Sequence, residues 1–110
     1  MQTQKNNLNT LRARIFKALS DPVRLEIIEF LRDGEKCVCE IIPHVNLIQP
    51  LVSRHLKILK DSGLVSDRKD RSWRHYSLTD PRIIKIIDSV TPEMVDALSQ
   101  RIIEQITMAK

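Results

Sequence analysis

Apolar residues recur at three- or four-residue spacing through much of the chain. Leu8, Leu11, Ile15 and Leu19 predict a first amphipathic helix over 8–19. Asp21-Pro22 follows, and an Asp cap before a Pro at the first helical position is a helix start. The second helix carries Leu25, Ile27, Ile28 and Leu31 inward and ends at Asp33-Gly34, where Gly accepts a left-handed closing conformation. Lys36 to Cys39 is too short for periodicity to assign. Ile41, Ile42 and Val45 predict a brief third helix from about Cys39, with Pro43 in its first turn, where a missing amide is tolerated, and Asn46 ending it. A fourth helix begins near Pro50, turns Leu51, Val52, Leu56, Ile58 and Leu59 inward, and stops at Ser62-Gly63.

The period then shortens. Leu64 to Lys69 and Trp73 to Leu78 read as strands around the turn Asp70-Arg71-Ser72, which makes a hairpin. Asp80-Pro81 opens the last segment. Ile83, Ile84, Ile86, Ile87 and Val90 give it a wide apolar face, and Thr91-Pro92-Glu93 looks like a fresh helix start that kinks or breaks it. Met94, Val95, Leu98, Ile102, Ile103 and Ile106 continue the stripe, which is longer than a small domain can cover from within. Such a face implies a partner chain, most simply a symmetric copy, with Ile87, Met94, Leu98 and Ile102 among its contacts.

Length and composition narrow the class. A chain of 110 residues predicts one domain. No apolar run reaches a membrane span, and Met1 to Asn9 lacks the apolar stretch of a signal peptide, so a soluble cytoplasmic protein without membrane association is expected. Two cysteines in such a chain argue for free thiols or a metal site rather than a disulfide scaffold. The net charge is +4, and it is concentrated. Residues 49–77 hold seven basic residues (Arg54, Lys57, Lys60, Arg68, Lys69, Arg71, Arg74) against three acidic ones (Asp61, Asp67, Asp70). Clustered basic charge is the footprint of a nucleic-acid surface; a solvated face is the plain alternative.

Two short helices joined by a tight turn, the second carrying Gln49, Ser53, Arg54, His55 and Lys57, form a helix-turn-helix candidate, with an ordinary exposed helix face as the alternative. Side chains of these types reach base edges and phosphates. A basic-tipped hairpin directly after a recognition helix is the wing of a winged helix. It can lay Arg71 and Arg74 on the adjacent backbone or minor groove. The expected architecture is therefore mainly α with a β-hairpin wing: a winged helix-turn-helix with core and wing over 8–80 and dimerisation helices over 81–107. His55 is expected to face DNA, His75 to be structural and Trp73 to pack at the base of the wing. No Ser/His/Asp triad, Gly-rich phosphate loop or paired-acid constellation points to an enzyme.

The segments ALSDPVRLEIIEFL at 18–31, CVCEI at 37–41, QPLVSRHLKILKDSGLV at 49–65 and RKDRSWRHYSL at 68–78 resemble the ArsR/SmtB family of metal-responsive winged-helix repressors. The resemblance covers roughly 11–80. It implies a homodimer that binds double-stranded operator DNA, represses its own operon and leaves DNA when an inducer binds. It also implies that the first helix, through Leu8 and Leu11, joins the last in the dimer interface. Three positions depart from the family pattern. Ile48 stands where Ser caps the recognition helix, and Ile cannot accept the amide hydrogen bond, a loss of roughly 1 kcal/mol. Arg71 stands where the wing tip often has Gly, which suggests a longer turn. Ile42 stands where the arsenic-sensing motif has a third Cys.

Cys37-Val38-Cys39 is the constellation capable of inducer chemistry. Thiolates are soft ligands that suit arsenite, antimonite, Cd, Hg, Cu(I) or Zn, and the resemblance places both residues at the sensor position, with arsenite or antimonite favoured. Residues two apart on a regular helix diverge, so convergent sulfurs require a distorted first turn, and that distortion offers a link to the DNA-reading residues. His44 is poorly placed to complete the site, and the acidic residues of the last helix lack a His. Three alternatives stay open: buried structural cysteines, a thiol-redox switch forming an intermolecular bond or sulfenate in preference to a strained internal disulfide, and, in another class, a protein-interaction module.

Overall fold

In a computed structural model the backbone is described over 2–108 and side chains over 7–108. The element order is α1 (Gln2–Ala18), α2 (Pro22–Phe30) with a 3-10 turn (Leu31–Asp33), β1 (Lys36–Cys37), α3 (Val38–Val45), α4 (Gln49–Asp61), β2 (Val65–Asp70), β3 (Trp73–Leu78), α5 (Ile83–Asp88) and α6 (Pro92–Met108). The expected four helices, wing and broken C-terminal segment are all present. α1 begins six residues before Leu8.

Local chemistry explains most boundaries. Asp21 caps α2 by accepting from the amides of Val23 (2.9 Å) and Arg24 (3.1 Å), and Pro22 follows at the first helical position. Asn46 closes α3 in the left-handed conformation, at φ 55° and ψ 48°. Ile48 caps α4 with extended backbone and no side-chain hydrogen bond, as its apolar side chain requires. Pro43 lies in the second turn of α3 rather than the first, because the helix starts at Val38; its missing amide removes one bond within the helix.

The largest departure is β1. Lys36 and Cys37 form a two-residue strand that pairs antiparallel with β3, Lys36 opposite Tyr76 and Cys37 opposite His75. The wing is thus a three-stranded sheet ordered β1-β3-β2. Two residues are too few for alternation to announce a strand. At the tip Asp70 pairs with Trp73, which leaves a two-residue turn, Arg71-Ser72, instead of a longer one. Arg71 accepts positive φ, 58°, which matches the twist of a tight hairpin turn. Trp73 is therefore exposed at the wing tip, not packed at its base.

One core cluster joins α1, α2, α3, α4, the sheet and α5. Ile27, Ile28, Leu31, Ile41, Val52, Leu56 and Leu59 are fully enclosed at its centre. Leu51, expected inside, is exposed, because the buried stripe of α4 runs through Val52, Leu56 and Leu59. α5 docks through Ile83 and Ile84, and its C-terminal end is tied to the 3-10 turn by Arg32, which donates to Asp88 at 2.7 and 2.9 Å. α6 buries none of its residues; Met94, Val95, Leu98, Ile102, Ile103 and Ile106 are about half exposed. The radius of gyration is 17.1 Å, against about 13 Å for a compact chain of this length. Among the described residues no helix is long and apolar enough to cross a membrane.

The wing is locked onto α4 by Asp67, whose side chain is only 8% exposed. It meets Lys60 of α4 at 3.0 Å and Arg74 of β3 at 2.9 Å. The hydrogen bond from Lys60, with further help from Arg74, holds its carboxyl below the usual range. A depressed carboxylate stabilises the fold above its ordinary titration range and loses that contribution as pH falls through it. Asp67→Asn is expected to lower stability at pH 7 by about 1–3 kcal/mol. Thermal melts should show the gap between variant and wild type closing toward pH 3; a gap of unchanged size there contradicts this role.

Candidate nucleic-acid interface and cysteine pair

The rotation of α4 follows from its buried stripe. With Val52, Leu56 and Leu59 inward, Arg54, Lys57 and Asp61 point away from the core, and Gln49 and Ser53 are exposed near the N-terminal end. Lys60 on one flank reaches the wing through Asp67, while His55 and Ile58 on the other meet α2 and α1. The outward face thus gathers Gln49, Ser53, Arg54 and Lys57 on one helix, with Arg71 exposed at the wing tip. Lys57 is paired with Asp61 at 2.9 Å along the same helix, an exposed contact that weakly competes with any phosphate. Arg54, Lys69 and Arg71 have no acidic partner among the described residues.

Two expected contact residues are placed otherwise. His55 does not point outward. Its ring is largely covered, with Nδ1 3.3 Å from an Arg24 guanidinium nitrogen and 3.8 Å from Asp21 Oδ2. Burial alone would raise the Asp21 carboxyl, but the amides of Arg24 and Val23 and the neighbouring His55 hold it below the ordinary value. His55 therefore fixes the middle of α4 against the start of α2. Arg74 stands two residues before buried Tyr76 on β3 and so shares its face, where its guanidinium is paired with Asp67 at 2.9 Å. Among the described residues, Lys69 and Arg71 are the wing cations without an acidic partner.

Cys37 and Cys39 are joined by a disulfide, and no free cysteine remains among the described residues. The pair is therefore bonded where free thiols were expected. The physical reason is that Cys37 is not helical. It ends β1 and caps α3 with extended backbone, φ −68° and ψ 145°. The two Cα atoms lie 5.1 Å apart, within the ordinary range for a disulfide. No first-turn distortion is needed for the sulfurs to converge.

Cys37 is also the structural start of α3. Its Sγ accepts from the Cys39 amide at 3.1 Å, and its own amide donates to Glu40 Oε2 at 2.8 Å, which makes a capping box. Cys37 is buried whereas Cys39 is exposed, so solvent meets the pair from the Cys39 side. Two residues earlier, Glu35 accepts two hydrogen bonds from Arg68 of β2, at 2.6 and 2.9 Å, and its Oε1 is 3.9 Å from His75 Nδ1. The Arg68 contact holds the Glu35 carboxyl below its usual range. Cys37 is thus at once a strand end, a helix cap and half of the sulfur pair, tied to the wing on one side and to the helix-turn-helix on the other.

Once reduced to thiolates, the pair would offer two soft sulfur donors. No group of three His, Cys, Asp or Glu side chains suited to a metal forms among the described residues. His44 is stacked on Phe30, ring centroids 3.8 Å apart and 12° between planes, away from the pair. Sequence reasoning missed Glu35, Glu40 and β1. One signal was present: Glu40 stands three residues after Cys37, the spacing of a capping box, although with Cys in place of Ser or Thr.

Helix-turn-helix, a three-stranded wing and a basic outward face define a winged helix-turn-helix DNA-binding protein. The sequence profile described as bacterial regulatory protein, arsR family, matches residues 21–67. An uncharacterized HTH-type transcriptional regulator of Methanocaldococcus jannaschii is 45% identical over 82 residues, 71% of this chain and 92% of that protein. The arsenical resistance operon repressor of Escherichia coli K12 is 40% identical over 100 residues, 84% of this chain and 85% of that protein. Among solved structures, a homodimeric winged helix-turn-helix DNA-binding domain from Mycobacterium bovis, a possible ArsR-family regulator, superimposes with a TM-score of 0.76 at 28% identity, covering 86% of this chain and 90% of that one. The transcriptional repressor BigR from Xylella fastidiosa gives 0.70 at 28% identity, over 82% and 92% of the two chains. The chain belongs to the ArsR/SmtB family: it is a DNA-binding transcription regulator and not an enzyme.

The two roles on α4 separate by experiment. Arg54→Ala should weaken duplex binding and leave the melting temperature unchanged. His55→Ala should remove about 1 kcal/mol of stability, a shift of roughly 4–8 °C. A melting temperature unaffected by His55→Ala contradicts its placement between Asp21 and Arg24.

Proposed function

We propose that this chain is a homodimeric repressor that leaves its operator when a thiophilic metal or metalloid ion, arsenite or antimonite first, engages Cys37 and Cys39. The observation that carries this reading is the position of the pair: two sulfurs converge where α3, the first helix of the helix-turn-helix, is capped. The arsenical repressor similarity across most of the chain supports arsenite and antimonite, while Cd, Hg, Cu(I) and Zn fit the same donors less selectively. The third coordination position is left to water or a small external thiol, since Ile42 cannot serve.

The coupling runs through Cys37. In the present form its sulfur accepts the Cys39 amide and its backbone extends β3. An external thiol first reduces the Cys37–Cys39 bond by exchange, leaving two thiolates and an oxidised external disulfide; recruiting the Cys37 thiolate to an ion then weakens the cap and shifts the start of α3. Because Cys37 is paired with His75, and Glu35 with Arg68, the same shift is transmitted to the wing. DNA binding and ion binding then oppose each other by one coupling free energy, reciprocal between the two sites.

The homodimer reading rests on α6. A helix with six large apolar residues half exposed, and a radius of gyration well above that of a compact chain, suits a second copy packed along α1 and α6, through Leu8, Leu11, Ile87, Met94, Leu98 and Ile102.

The observed disulfide favours one second reading, a thiol-redox switch. There a thiolate attacks a peroxide, taking one oxygen as a sulfenate and releasing water or an alcohol; the second thiol then displaces hydroxide to close the bond. The two readings separate on reduced protein bound to DNA. Cys37→Ser and Cys39→Ser should each abolish release by arsenite and antimonite while leaving affinity in reducing, metal-free buffer intact. Release of both variants by these ions contradicts the sensor assignment. Release by peroxide alone, only with both cysteines present, replaces ion sensing with redox sensing. Leu98→Asp places a charge in the contact between copies, at a cost of several kcal/mol. Sedimentation should find the variant monomeric, and a monomeric wild type contradicts the dimer.

A further inference from the structure

α4 stands between two basic flanks, and the function proposed above uses only one of them. On the wing side lie Lys69 and Arg71. On the opposite side a concavity is lined by Arg14, Lys17, Ala18, Arg24, Ile58 and Asp61, drawn from the end of α1, the start of α2 and the second half of α4. We propose that this second flank is a DNA-backbone contact, in which Arg14 and Lys17 bind the phosphates bordering the groove edge that the wing does not reach.

The argument is geometric. A helix with its side chains is about as wide as the major groove, so a recognition helix seated there has a phosphate strand along each side. The rotation of α4 assigns its sides. Lys60 leads to the wing through Asp67, whereas His55 and Ile58 lead to the α1–α2 corner. The corner is rigid. Arg24 donates from Nε to the Ala18 carbonyl at 2.6 Å and meets His55 at 3.3 Å, fastening the end of α1, the start of α2 and the middle of α4 to one another. Arg24 is thereby a positioning residue with its guanidinium engaged.

Arg14 and Lys17 are different. Both are exposed, and neither has a carboxylate partner among the described residues. The acid in the concavity, Asp61, has its Oδ2 2.9 Å from Lys57, and Asp21 is occupied by the amides of α2. Two exposed cations with no carboxylate partner among the described residues thus border a concavity that α4 itself helps to line. The expected occupant is a phosphodiester backbone, read for charge and not for sequence. The proposal rests on the DNA-binding reading, and its test is chosen to separate the two.

Because phosphate contacts are indifferent to sequence, the operator is not needed. Binding of the full reduced protein to a duplex of arbitrary sequence is followed by fluorescence anisotropy between about 50 and 200 mM salt. Each phosphate contact contributes about −0.9 to the slope of log K against log salt. The double variant Arg14→Gln, Lys17→Gln should flatten the slope by about 1.8 per bound protomer, with an unchanged melting temperature. Lys17→Arg should keep the wild-type slope, since it keeps the charge, while Lys17→Gln alone loses about half of the effect. An unchanged slope in the double variant, with Arg54→Ala still flattening it, overturns the second flank and leaves the DNA reading intact. Weaker binding with an unchanged slope also overturns it, since that is the mark of altered shape and not of lost phosphate contacts. A wild type whose binding does not depend on salt overturns the DNA reading itself.

Discussion

The cap on α3 holds the functional half of the molecule together. Cys37 ends β1, accepts the Cys39 amide and donates its own amide to Glu40. Ordinary caps use oxygen, and a sulfur acceptor is a weaker choice for stability alone. It gains meaning when the cap must also be a ligand. A Ser here would start the helix at least as well and could not bind a soft ion. Under the proposed function, the sulfur would make the start of the helix-turn-helix conditional on chemistry in solution.

Electrostatic pairs then distribute that condition. Glu35 and Arg68 fasten the residue two before the cap to the wing, and Asp67 fastens the wing to α4. Asp21, Arg24 and His55 fasten α4 to α2. Each is a contact between elements adjacent in space and distant in sequence, and together they make a ring around the recognition helix. The cations left over, Arg54, Lys69 and Arg71, together with Arg14 and Lys17, lie on the outside of that ring. In the proposed reading, these cations, which have no carboxylate partner among the described residues, face the DNA backbone.

Much of this was legible in the chain. The Asp21-Pro22 start, the Asn46 and Gly63 stops and the alternation in the hairpin are local signals, and each boundary fell within a few residues of expectation. The uncapped Ile48 was visible as an absence and stands uncapped. What stayed hidden depends on pairing across the sequence. β1 has two residues and no period, so only its partner β3 identifies it. His55 sits beside Ser53 and Arg54 in a run that reads as DNA-facing, yet a 100° step per residue turns it to α2. Arg74 and Asp67 likewise declare themselves only once the register of the hairpin is known. The geometry of the cysteine pair is hidden for the same reason: Lys36 to Cys39 has no period, and only the pairing with β3 reveals Cys37 as extended.

The central claim is that a single residue couples the thiol site to both DNA-reading elements. Amide hydrogen exchange on the reduced protein, with and without arsenite, tests it most directly. The account predicts that ion binding alters exchange in the first turn of α3 and, together with it, in β3 around His75. A change confined to α3, with the wing strands as protected as before, would contradict it.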